Sequence, residues 1–63
     1  MSVLVKCLPS HLQFGDQIII LDYAWTVMNI VGPDKIGTYD LSLKDSFGNE
    51  RQEIVTEPVT ILL

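Results

Sequence analysis

The chain holds one cysteine and one histidine, Cys7 and His11, and their spacing of four across a turn containing Pro9 is its nearest approach to a nucleophile with a base. A thiol attacks as the thiolate, so such a pair also needs a third group that orients the imidazole. Nothing near His11 in the sequence supplies one. The expectation is a buried, reduced thiol on a first strand and a solvated histidine. A single cysteine also excludes a disulfide within the chain, and one Cys with one His falls short of a structural zinc site. Asp16, Asp22, Asp34, Asp40 and Asp45 are scattered over separate turns and strands without the spacing of a calcium loop, so they are expected to solvate turns. Gly15, Gly32, Gly37 and Gly48 stand singly at bends, not clustered to cradle a phosphate. No metal, no cofactor and no enzymatic activity are expected; an active site shared between subunits is the one escape.

Binding chemistry is better represented. Tyr23, Trp25, Tyr39 and Phe47 include residue types that combine a large apolar face with a polar handle and recur at binding hot spots. Trp25 on a central strand reads as barrel wall. Tyr23, beside Asp22 in a tight connection, reads as accessible. Phe47 stands at a hairpin tip where solvated residues are the rule, so it either touches a partner or folds back over the barrel end. The candidate binding residues are therefore Asp22, Tyr23, Trp25, Tyr39 and Phe47.

The elements that must position them are short strands. Val3 to Cys7 alternates, and Gln17 to Leu21 is β-branched between Asp16 and Asp22, which suits a strand buried on both faces. From Ala24 to Val31, Trp25, Val27, Asn29 and Val31 alternate with Ala24, Thr26, Met28 and Ile30, predicting a wall covered on two apolar faces. Gly32 to Gly37 is a breaker-rich loop, and Tyr39, Leu41 and Leu43 then point inward against Asp40, Ser42 and Lys44. A hairpin turn over Asp45 to Glu50 leads to a returning strand over Arg51 to Thr56, which Glu57-Pro58 interrupts before a last strand over Val59 to Leu63. The apolar end of that strand must be covered, by pairing in the barrel or by another subunit.

With 63 residues there is room for one domain over 1–63, and burial and ordering nearly cancel in a chain this short. Lacking disulfide and metal, it is expected to gain its margin by forming a homo-oligomer, most simply a dimer. No apolar run reaches membrane-spanning length and the start lacks a secretory signal, so a cytoplasmic protein with no membrane contact is expected. Eight acidic against four basic residues give a net charge of −4, which disfavours nucleic acid and suits a protein partner with a basic surface.

The pattern Leu12-x-x-Gly15-Asp16-x-Ile18, Trp25-x-Val27-x-x-Ile30, Leu41-x-Leu43-x-Asp45-x-x-Gly48 and Val59-x-Ile61 resembles small SH3-like barrel proteins of bacteria and their phages, over nearly the whole chain. The resemblance implies an all-β fold, a small five-stranded SH3-like barrel, and carries no activity with it. The expected function is a small non-enzymatic protein-binding or assembly module, by analogy a phage-encoded accessory or inhibitor acting by surface occupation. Two alternatives stand beside it. One is a nucleic-acid-binding barrel that stacks bases on Trp25 or Tyr39 with Lys35, Lys44 and Arg51 on phosphates; the other is an oligomer that sequesters a small ligand.

Overall fold

Each alternating run bounded by Gly, Pro or Asp forms a strand. The computed structural model describes residues 3–63 and contains β1 (Leu4–Cys7), β2 (Gln17–Ile20), β3 (Tyr23–Val31), β4 (Tyr39–Lys44), β5 (Glu50–Val55) and β6 (Val59–Leu62), with a 3-10 turn over Pro9–His11. No helix among the described residues is long and apolar enough to cross a membrane. The all-β expectation holds. The closed five-stranded barrel is corrected to six strands in one antiparallel sheet, ordered β1-β6-β2-β3-β4-β5, with no ladder joining β1 to β5. The six strands fall where the residue pattern places six strand segments, and the last of them, Val59–Leu62, is internal, pairing with β1 on one side and β2 on the other. That pairing covers the apolar strand end only in part, leaving Ile61 buried and Leu62 half-buried while Leu63 stays exposed.

The open sheet is nonetheless strongly curled. In the sheet, β6 and β5 are separated by β2, β3 and β4, so a flat arrangement would set them about 19 Å apart. The connection Thr56–Glu57–Pro58 carries the chain from Val55 to Val59, a reach of at most about 14 Å. The sheet must therefore bend over its apolar face. Leu12, Ile18, Val27, Leu41, Leu43 and Ile61 are buried there, with Val5, Cys7, Ile20, Trp25, Ile30, Tyr39, Val55 and Val59 packed around them.

β3 switches faces halfway, which corrects the expectation of two apolar faces. Val27 pairs with Leu43 and Ile30 with Leu41, whereas Asn29 pairs with Ser42, so Met28 is an extra residue in the strand. Such a bulge inverts the alternation beyond it. Trp25 and Val27 face the core before the bulge, and Ile30 faces it afterwards. The backbone of Val27 is held from the other side, its N–H bonding Asp16 O (2.8 Å) and its carbonyl accepting from Gly15 N (2.9 Å).

The β2–β3 connection is a two-residue turn over Leu21 and Asp22, one residue earlier than the Asp22-Tyr23 position expected from sequence, since Ile20 pairs with Tyr23. Leu21 and Asp22 both have positive φ, 52° and 64°, the arrangement whose twist matches a hairpin and which Asn-Gly fits best. In the β3–β4 loop, Gly32 has φ 133°, and a Cβ there would lie 2.7 Å from Thr38 O. Only glycine lets those two segments approach so closely.

Two stability measurements follow from this frame. Leu41→Ala, at a fully buried site, is expected to lose about 2–5 kcal/mol, as much as a chain this small commands, so its denaturant midpoint should collapse. The double change Leu21→Asn, Asp22→Gly should raise stability by about 1–2 kcal/mol by relieving left-handed backbone, and an unchanged midpoint would contradict the turn assignment.

Candidate functional site

β2 and β3 run antiparallel, as do β3 and β4, so the β2–β3 turn and the β4–β5 hairpin tip lie at the same end of the sheet. The hairpin closes with Gly48 N–H bonding Asp45 O (3.2 Å) and Asp45 N–H bonding Asn49 O (3.0 Å), with Gly48 at φ 86°. Asp45 organises that tip. Its Oδ1 accepts the backbone amides of Phe47 (2.9 Å) and Asn49 (2.8 Å), while Oδ2 accepts Asn49 Nδ2 (2.9 Å) and the Tyr23 hydroxyl (3.4 Å). The Tyr23 bond ties the two tips together.

These contacts perturb both partners. Desolvation tends to raise the Asp45 pKa, but the Asn49 side chain, the Asn49 and Phe47 amides and the Tyr23 hydroxyl outweigh it and hold the carboxyl below its ordinary 3.8. The Tyr23 phenol is pushed above 10, first by desolvation and then by the charge and hydrogen bond of Asp45. Asp34 does similar work in the β3–β4 loop. Its Oδ1 accepts Ile36 N (2.9 Å) and Thr38 N (2.8 Å), and the amides of Thr38 and then Ile36 lower its pKa. Asp34 and Asp45 thus bond backbone amides where the sequence suggested only solvation.

Tyr23 meets Trp25 edge to face, ring centroids 5.5 Å apart at 61°. From β5 the Arg51 guanidinium lies 5.8 Å from the Trp25 ring centroid and is paired with Glu53, Nη2 to Oε1 at 2.6 Å and Nε to Oε1 at 2.7 Å. Trp25 is half-buried beneath this lid. Beyond it, Leu21 is 90 % exposed, Phe47 80 % and Tyr23 41 %, and Asp22 sits exposed beside Leu21. Phe47 stands out from the tip; it does not fold back into the core.

The structure therefore brings Asp22, Tyr23, Trp25 and Phe47 to one end. Tyr39 stands apart at the start of β4, inward and half-buried, packed with the core. Leu21, Asp45 and the Arg51–Glu53 pair belong with the cluster; of these, the sequence points to Arg51 alone, as a phosphate contact beside Trp25. The signal for Leu21 was its place after an apolar run and before Asp22; the signal for Asp45 was Asp45-x-x-Gly48-Asn49, the spacing of a side-chain-bonded turn. Nothing in the spacing of Arg51 and Trp25 foretells their contact, which depends on the curl. At the first-noted pair, the Cys7 thiol is half-buried and donates to Leu8 O (3.4 Å), while His11 is exposed in the 3-10 turn. No group of three or more metal-ligating side chains forms among the described residues.

A carboxyl whose folded pKa lies below its unfolded value stabilises fully above the unfolded value, and that contribution is lost as pH falls through the folded one. The fold should therefore weaken below about pH 4, and Asp45→Asn should be less stable at neutral pH yet show a shallower loss in acid. Denaturant midpoints across an acid pH series measure both effects, and parallel curves for the two proteins would be inconsistent with it. Compared with family models, curated proteins and solved structures, the chain finds no match.

Proposed function

We propose that this chain is a non-enzymatic protein-binding module that docks through the end formed by Leu21, Asp22, Tyr23 and Phe47, with Trp25 and Arg51 as the rigid floor. The observation that carries the reading is Leu21. A large apolar side chain is held 90 % exposed on left-handed backbone where Asn or Gly would sit with less strain, beside a second exposed apolar tip at Phe47. Strain retained at an exposed position favours use of the side chain. The Tyr23 hydroxyl reaches Asp45 across the two tips, and Asp45 fixes the hairpin tip through the Phe47 and Asn49 amides, which lowers the ordering that binding would cost there. Asp22 beside them and the net charge of −4 suit a partner that rims an apolar socket with basic groups, including the surface of an enzyme that handles nucleic acid.

The SH3-like likeness is supported by the curl, by the Gly15-Asp16 turn ahead of β2 and by the Asp45-to-Gly48 hairpin, while the sixth strand and the open seam depart from it. A cytoplasmic, phage-encoded accessory role belongs to the same proposal by analogy alone. The nucleic-acid alternative is weakened at its own key residue. Arg51 lies over Trp25 and is already paired with Glu53, so both the stacking face and the phosphate contact are engaged.

Capture from host extract on immobilised wild-type chain, compared with Leu21→Ser and Phe47→Ser variants, tests the proposal. These exposed changes leave the core intact, so the circular dichroism spectrum should persist while a specific partner is lost. Recovery of the same proteins by all three forms would refute the docking end. Retention of nucleic acid, falling steeply with salt, would favour the alternative.

A further inference from the structure

The hydrogen-bonded ladder ends at β5, and the free side of that strand has a definite pattern. Asp45 N–H bonds Asn49 O across the hairpin, so that pair is a hydrogen-bonded one, and the pairs beyond it alternate: Lys44 with Glu50, Leu43 with Arg51, Ser42 with Gln52, Leu41 with Glu53, Asp40 with Ile54. Arg51, Glu53 and Val55 therefore aim their peptide groups at β4. Glu50, Gln52 and Ile54 aim theirs away from the sheet, with no strand among the described residues to receive them.

We propose that β5 pairs antiparallel with β5 of a second copy of this chain, about a two-fold axis at Gln52 that sets Arg51 of each copy against the partner's Glu53. Only outward-aimed residues can exchange hydrogen bonds with outward-aimed residues, which limits the symmetric registers near the middle of the strand to three. An axis at Arg51 would oppose Arg51 with itself, and one at Glu53 would oppose Glu53 with itself. Both put like charges at directly facing positions. The axis at Gln52 opposes Gln52 with Gln52 and Glu50 with Ile54 as hydrogen-bonded pairs, and it places Arg51 and Glu53 at the closer, non-hydrogen-bonded positions where side chains meet. Charge complementarity thus selects one register out of three.

The edge is long enough to pair, and its inward charges Arg51 and Glu53, which would deter an apolar strand, are matched by their own counterparts in this register. β5 is six residues long without Pro or Lys, and Ile54 on its outer face is 70 % exposed. β1, at the other edge, has four residues; the mutual bonds of Val3 and Leu63 leave Leu4 and Lys6 aimed outward, so it presents a lysine and no self-complementary pair. In the paired form the Arg51–Glu53 bridge of each chain joins its counterpart in a network of four charges beside the two Trp25 rings. The proposal goes beyond the docking end, with which it shares Arg51; Leu21, Asp22, Tyr23 and Phe47 lie outside the paired segment Glu50–Ile54.

Sedimentation equilibrium at micromolar concentration should give the wild-type chain at twice its single-chain mass. Arg51→Glu and Glu53→Arg should each weaken self-association by about tenfold or more, since each opposes like charges twice. Mixed in equal amounts, the two variants should recover association as a one-to-one pair, which a bridge confined within each chain cannot produce. Gln52→Pro removes an outward N–H that the fold itself does not use, so it should be monomeric with its β spectrum retained. A wild-type chain that stays single, a mixture of folded variants that fails to associate, or a Gln52→Pro chain that still dimerises overturns the proposal. None of these results depends on whether Leu21 and Phe47 bind a partner.

Discussion

The three-residue link from β5 to β6 is the constraint from which the rest of the architecture descends. Strands four places apart in the sheet are tied by Thr56, Glu57 and Pro58, and no flat sheet can satisfy that tie. Bending brings the inward residues of β5 over those of β3, which is how Val55 joins the core and how Arg51 reaches Trp25. With few residues to bury, the molecule gains from covering one half of its sheet with the other. The curl acts as the second layer that a larger domain would supply with helices or another sheet.

The same bend accounts for the polar cluster on an otherwise apolar concave side. Arg51 and Glu53 occupy positions whose parity would suit apolar residues, yet they lie at the open margin, where the sheet has no further strand to cover them. Their pairing and the aromatic ring beneath satisfy the charges without full desolvation, which avoids the penalty of a buried ion pair. The margin is thereby partly covered above Trp25 and left open along its peptide groups.

Much of the fold was legible in the residues. Alternation placed Tyr39, Leu41 and Leu43 inward on β4, and the Gly, Pro and Asp punctuation marked every connection, with only the β2–β3 turn shifted by one residue. Strand order was not legible, because it depends on which edges meet after bending and no local pattern encodes that. Of the candidate site, Asp22, Tyr23, Trp25 and Phe47 were found by residue type and loop position and do gather at one end. Tyr39 shares only their chemistry and lies in the core packing. The contact of Arg51 with Trp25 is invisible in the residues, since a contact between two strands separated by a third is set by tertiary geometry.

The bulge at Met28 carries a consequence for how this chain tolerates change in length. Because the residues before and after it obey opposite parity, β3 is in effect two short strands in antiphase, spliced by one spare residue. Removing that residue would leave Thr26, Val27, Asn29, Ile30 and Val31 opposite Lys44, Leu43, Ser42, Leu41 and Asp40 in one unbroken alternation, with Ile30 still turned to the interior and Asn29 and Val31 still outward. The loss of one residue at this point is thus absorbed by the partner strand, as it is at the solvent-facing Gly37 corner of the loop that follows, whereas a residue lost between Tyr23 and Thr26 would turn every side chain on one side of the cut to the opposite face.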